Sequence, residues 1–154
     1  MPSSAVEITD VTLRDGLQME ARRLSLDEKE KLFESLVSCG YARLEVTSFV
    51  NPKWVPQFQD ADEFAARVVN TVGRPELMAF VPNEAGLERL LKFPIEWAAA
   101  FVAVSEAFNK KNVNRSVADS LDGLHKTVVL TSDNAGPLVW APWELYIPRK
   151  ITST

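Results

Sequence analysis

Short runs rich in β-branched and other apolar residues alternate along this chain with longer runs whose apolar residues recur every three or four positions. That alternation predicts strands and amphipathic helices in turn, and therefore a parallel sheet covered by helices. Val6-Glu7-Ile8-Thr9-Asp10-Val11 reads as a first strand, followed by a loop over 13–23. Ser25-Leu26-Asp27-Glu28 has the spacing of a capping box: the serine hydroxyl accepts from the third helical amide while Glu28 reaches back to the serine amide. Leu32, Phe33, Leu36 and Val37 continue at helical spacing, and Gly40 can take the left-handed conformation that stops the helix.

Three further units follow. Residues 41–47 read as a strand, 48–59 as a proline-bearing loop, and Asp60 as the cap of a helix carrying Phe64, Val68, Val69 and Val72. A buried strand is predicted over 77–81, and a helix over 84–93 with Leu87, Leu90 and Leu91 on one face. Residues 97–104 are short and apolar, compatible with strand or helix, and their place after a helix favours a strand. A polar loop over 105–114 leads to Ser116, a cap for a short helix ending at about His125. Beyond it the pattern changes: 131–137 is turn-rich, and 138–151 carries Trp140, Trp143 and Tyr146 without clean periodicity. The expected division is a regular part, 1–126, and a divergent tail, 127–154.

Composition narrows the function classes. The 154 residues suffice for one domain of ordinary size, and 46% hydrophobic with 25% charged residues excludes wholesale disorder. A net charge of −4, with 17 basic and 21 acidic side chains interspersed, argues against nucleic acid or an anionic membrane as partner. Cys39 and His125 are each the one residue of their type, so an internal disulfide and zinc sites built from several Cys and His are excluded. No apolar run approaches the ~18 residues of a membrane span, and the first residues lack a secretory pattern. The expected location is the cytoplasm.

In parallel α/β architectures ligands bind at the carboxyl ends of the strands, so the loops that follow the strands are where chemistry is expected. The first holds Thr12-Leu13-Arg14-Asp15-Gly16-Leu17-Gln18, a cation and a carboxylate side by side; alone, Arg-Asp-Gly is a common solvent-facing turn. After the second strand, the run from Glu45 through Thr47-Ser48-Phe49-Val50 to Trp54-Val55-Pro56-Gln57 supplies a carboxylate, a hydroxyl and a long loop. After the fourth comes Asn109-Lys110-Lys111-Asn112.

In order and spacing these three runs resemble the hydroxymethylglutaryl-CoA lyases, part of a group of metal-dependent lyases and aldol-condensing enzymes, with the likeness covering about residues 6–125. The resemblance implies an α/β fold of the (β/α)₈ TIM-barrel family, here a truncated half barrel of about four β/α units with an irregular C-terminal tail. It also implies cleavage of 3-hydroxy-3-methylglutaryl-CoA into acetyl-CoA and acetoacetate with Mg²⁺ or Mn²⁺. Carried over residue by residue, Arg14 is the catalytic arginine, Asp15 a metal ligand and Glu45 the glutamate that follows the second strand. Asp15 offers the hard oxygen such a cation prefers, and Arg14, always protonated, can stabilise the enolate left on the thioester oxygen when the carbon–carbon bond breaks. Glu45 is a candidate to hold the fork of Arg14, and Ser48 a candidate donor to the substrate carboxylate, although hydroxyls in turns commonly bond their own backbone. Lys110 and Lys111 are either phosphate contacts for coenzyme A or a solvated face; Trp54, Phe49 and Phe108 are expected to pack the loops, and Cys39 to be structural at a helix end.

The departures matter equally. A complete barrel takes about 250 residues. The family's His-x-His pair on a later strand, its asparagine ligand and its cysteine in a glycine-rich loop have no counterpart here. A lone carboxylate does not make a selective divalent site, so the cation is expected to be weakly held and cleavage impaired. The likeness ends near Lys126 or Thr127, as it would after a frameshift or a fusion in the coding sequence. An open half barrel leaves its first and last strands with unpaired edges, and self-association is expected. Two alternatives stand beside the lyase. Condensing enzymes of the isopropylmalate or homocitrate synthase type share the Arg-Asp-Gly loop but usually carry glutamate where Leu17 stands. A noncatalytic fragment would instead bind a partner through its edges and aromatic tail.

Overall fold

The computed structural model describes residues 6–101, 103, 105–131, 139–140 and 145–148, with the backbone alone at Asn112 and beyond 125. Four parallel strands, β1 (Thr9–Asp10), β2 (Arg43–Ser48), β3 (Glu76–Phe80) and β4 (Trp97–Ala100), lie side by side in chain order. Sequential order with helical crossovers is how a barrel wall is built; a doubly wound sheet reverses its order midway. Helices α1 (Leu26–Val37), α2 (Ala61–Val68) and α3 (Glu84–Leu90) form the crossovers, and α4 (Glu106–Val113) and α5 (Val117–Thr131) follow β4.

The core lies between the helices and one face of the sheet. Leu44, Val46, Leu77, Ala79, Ala98 and Ala100 present that face to Phe33, Phe64, Leu87 and Leu90. Phe33 and Phe64 meet edge to face with centroids 6.4 Å apart, which locks α1 against α2. The predicted capping box is present: Ser25 Oγ accepts from the Glu28 amide at 3.3 Å, and Glu28 Oε2 accepts from the Ser25 amide at 2.8 Å. Gly40 takes φ of 77°, as a helix stop requires. Gly86 lets α3 approach the loop after β2; a Cβ there would stand 3.1 Å from the Phe49 carbonyl oxygen and 2.9 Å from Pro82 Cδ.

Four expectations are corrected. Asp60 does not cap α2 with its side chain; its carboxylate accepts from the buried ammonium of Lys29 at 2.6 Å instead. Residues 105–114 are not loop: Ser105 caps α4, and Asn114 closes it in the left-handed region at φ of 55°. This helix lacked an apolar stripe because it is held by a polar hub. Asn109, fully buried, accepts from the Ala103 amide and donates to Arg115 O, Ser116 O and Ser120 Oγ. The helix capped by Ser116 runs to Thr131 rather than stopping near His125, because no glycine or proline interrupts residues 124–131. Finally, the edge of β4 is not bare. In the tail, β5 (Val139–Trp140) pairs with β6 (Leu145–Pro148), which lies antiparallel against β4. Among the described residues the sheet therefore keeps β1 as its outer parallel edge. The side chains of Trp140 and Tyr146, and all of Trp143, lie outside the described part.

The register of β2 against β3 positions the site. Glu45 pairs with Met78 but Thr47 pairs with Ala79, so Val46 is an extra residue. Faces alternate with period two, and one inserted residue shifts the parity downstream. Glu45 and Ser48 consequently share the sheet face of Phe80, opposite the helices. At the amino end of this face Arg43 lies 3.7 Å over the Trp97 ring and pairs with Glu76. No helix among the described residues is long and apolar enough to cross a membrane.

The capping box has a pH signature. Bonds from the Ser25 amide, Arg22 and the Ser25 hydroxyl lower the Glu28 pKa from 4.5 to about 2. A depressed carboxylate stabilises the fold above its unfolded value, and the contribution is lost as pH falls through the folded one. Urea unfolding of the native chain and Glu28→Gln is expected to differ at pH 6 and converge near pH 2; a gap that persists unchanged at pH 2 would contradict this.

Candidate active site

The first loop is a π turn, residues Thr12–Gly16, not an irregular connection. One carbonyl organises it: Val11 O accepts from the amides of Arg14, Asp15 and Gly16 at 3.1, 2.9 and 3.2 Å. Asp10 fixes its start by accepting from the Thr12 amide and hydroxyl, both at 3.0 Å. Such turns are frequent at functional sites because they aim side chains that a regular helix would not.

Arg14 leaves this turn and lies nearly buried, 8% exposed. Its Nε donates to Glu45 Oε1 at 3.1 Å, and its Nη1 donates to Asp15 Oδ1 at 2.6 Å. The guanidinium carbon stands 4.6 Å from the centre of the Phe80 ring, within cation–π distance. Glu45, 1% exposed, meets a cation where an isolated carboxylate would be prohibitively costly. Asp15 by contrast is largely exposed on the other side of the arginine. Ser48 is buried, and its Oγ accepts from the Val50 amide at 3.3 Å, so the local backbone bond expected of turn hydroxyls is formed. Accepting that bond leaves the hydroxyl proton able to donate.

All four residues line one open cleft of about 710 Å³ at the carboxyl ends of the strands, with Phe80 and Trp54 among its walls. That volume falls within the range of small-molecule sites, and a few convergent polar groups among apolar walls are what such sites present. Lys110 and Lys111 are exposed and stand outside the lining. Phe49 packs as expected, stacked on Phe93 at 6.0 Å. Trp54 does not: it is 67% exposed, and with half-exposed Phe108 it stands at the cleft rather than in the core. The Cys39 thiol is exposed and donates to Ser35 O.

Whether these residues suit a divalent cation is a question of donor number. Among the described residues no three His, Cys, Asp or Glu side chains converge. Asp15 already accepts from Arg14, and Glu45 is engaged by the same arginine. The donor set of the described residues does not by itself make a metal site.

Sequence reasoning gave no role to two buried polar residues, Lys29 and Gln57. Lys29 carried a usable signal, since it stands four residues before Phe33 on the apolar face of α1.

The family model described as HMGL-like matches residues 5–139. The chain belongs to this family. Among curated relatives of this HMGL-like chain, a hydroxymethylglutaryl-CoA lyase of Bacillus subtilis is 39% identical over 116 residues, 75% of this chain and 38% of the relative. The crystal structure of the Bacillus subtilis HMG-CoA lyase superposes with a TM-score of 0.78 at 36% identity, covering 83% of this chain and 43% of that one. An HMG-CoA lyase from Acinetobacter baumannii, solved in complex with coenzyme A and 3-methylmalate, gives 0.77 at 26% identity over 82% and 41%. These relatives are carbon–carbon lyases with TIM-barrel folds, so the four-unit sheet is part of a barrel wall. The chain spans about two fifths of the length of the relatives it matches.

Because Glu45 and Arg14 compensate each other's burial, removing one is more harmful than removing both. In urea unfolding, Glu45→Leu is expected to cost about 3 kcal/mol, and the double variant with Arg14→Met less than Glu45→Leu alone. Simply additive costs would contradict the pairing.

Proposed function

We propose that this chain carries the arginine end of an acyl-CoA lyase site, one that cleaves 3-hydroxy-3-methylglutaryl-CoA into acetyl-CoA and acetoacetate. The observation that carries the reading is the Arg14–Glu45 bond at the wall of a ligand-sized cleft. As the C3 hydroxyl gives up its proton and becomes the ketone of acetoacetate, the breaking carbon–carbon bond leaves its electron pair on the departing acetyl thioester, chiefly on the oxygen, until a proton returns to carbon to give acetyl-CoA. A guanidinium held in place before the reaction stabilises that oxygen without reorganising. Glu45 keeps Arg14 pointing into the cleft, and its own negative charge is spent on Nε, away from the enolate. Ser48, whose Oγ accepts from the Val50 amide and so keeps its proton to give, donates to the carboxylate at the other end of the acyl group. Coenzyme A is the thiol carrier in this reading.

The family's Mg²⁺ or Mn²⁺ would activate the substrate hydroxyl, and Asp15 is the ligand this chain would contribute. The 154 residues contain one histidine and so no His-x-His pair. With Asp15 as the one ligand these residues offer, this reading has the cation weakly held and turnover slow. The same reading takes residues 1–126 as the barrel part and 127–154 as a divergent tail, places the protein in the cytoplasm, and has it associate through the open β1 edge.

The test is release of acetoacetate from 3-hydroxy-3-methylglutaryl-CoA with and without added Mg²⁺ or Mn²⁺. A slow, cation-stimulated rate is expected, falling by about 100-fold in Arg14→Met. A rate indifferent to that substitution would contradict the role given to the arginine.

A further inference from the structure

Behind the cleft lies a buried polar network that the proposed chemistry does not use. Lys29 is 2% exposed on the apolar face of α1, and its ammonium donates to Gln57 O at 2.5 Å and to Asp60 Oδ1 at 2.6 Å. Gln57, also buried, lies in the single 3₁₀ turn Pro56–Phe58 that precedes α2. Its side-chain amide reaches across to the first loop. Nε2 donates to Leu17 O at 3.1 Å and to Arg22 O at 3.5 Å, while Oε1 accepts from the Leu24 amide at 3.2 Å. One side chain therefore grips both ends of segment 17–24.

Leu17 links this grip to the site. It follows the π turn, and its amide donates back to the carbonyls of Arg14 and Thr12. Gln57 thus holds the carbonyl of the residue whose amide closes the turn that carries Arg14. The arrangement is costly to keep. Burying an ammonium exacts a desolvation penalty that an apolar side chain at the same place would avoid, and Asp60 gives up the helix cap its position invites. Departures from local rules of this kind concentrate where geometry has to be fixed.

We infer that Gln57, clamped by Lys29 and Asp60, is a positioning residue for Arg14. It sets the Leu17 carbonyl, hence the π turn, hence the direction in which the guanidinium meets Glu45 and the cleft. Gln57 itself lies outside the cleft lining. The role rests on the reading of Arg14 as the group that meets the thioester oxygen, but its test needs no turnover.

The test uses ¹⁵N–¹H spectra of the 154-residue chain. The Arg14 Nε–H resonance is identified by its loss in Arg14→Lys, and its exchange with solvent is compared among variants. Gln57→Leu and Lys29→Met are expected to speed that exchange by about tenfold or more, while the amides of α3 keep their protection. Gln57→Glu, which retains the acceptor for Leu24 but loses the donor to Leu17, is expected to shift the same resonance and gives the answer if Gln57→Leu does not fold. Arg74→Met, which breaks the ion pair with Glu96 at the opposite end of the sheet, is the control for general destabilisation. An unmoved Arg14 signal in the Gln57 variants, or an equal change in Arg74→Met, overturns the inference. A chain without lyase activity leaves this readout intact, so failure of the functional reading and failure of the positioning role give different results.

Discussion

An extra residue in β2 is the constraint on which the site depends. Side chains three apart in a regular strand point to opposite faces, which would send Ser48 to the helices while Glu45 faced the other way. The bulge at Val46 restores both to the face of Phe80. A carboxylate so buried needs a cation, and the π turn after β1 delivers Arg14 to it. The two irregularities bring different groups to one face: the π turn supplies the cation that Glu45 needs, and the bulge adds the Ser48 hydroxyl. Phe80 completes the seat by lying under the guanidinium.

The two sides of the sheet show why the cleft lies where it does. On the helix side, burial is apolar almost throughout, and the alanines of β3 and β4 let the helices approach closely. The other side is polar at both ends. At the amino end, Arg43 stacked on Trp97 and paired with Glu76 fills the space with its own partners. At the carboxyl end, Arg14 and Glu45 satisfy each other yet leave an open volume in front of them. A ligand finds room only where the polar groups are fixed but not covered.

Much of this was legible in the residues. The alternation of strand and helix and the capping box at Ser25 are local patterns, and local physics decides them; Glu45 as the partner of Arg14, thirty-one residues away, was legible only through the family resemblance. The Val46 bulge was not legible, because it exists only in the pairing of β2 with β3. Helix α4 was missed for a related reason: Asn109 stabilises it by reaching Ala103 and the segment 115–120, contacts that apolar periodicity cannot report. Asp60 looked like a cap because capping is the local option; Lys29, thirty-one residues earlier, outbids it from the core. Long-range polar contacts, a charge pair at Asp60 and neutral hydrogen bonds at Asn109, overrode local preference in both cases.

The most direct test of the central claim is a crystal structure of the chain soaked with a cleavage-resistant analogue of a 3-hydroxy-3-methylglutaryl thioester. The account predicts the thioester oxygen within about 3 Å of an Arg14 nitrogen, with Glu45 still on Nε. A ligand seated away from this cleft, or an Arg14 that abandons Glu45 and turns from the ligand, would contradict it.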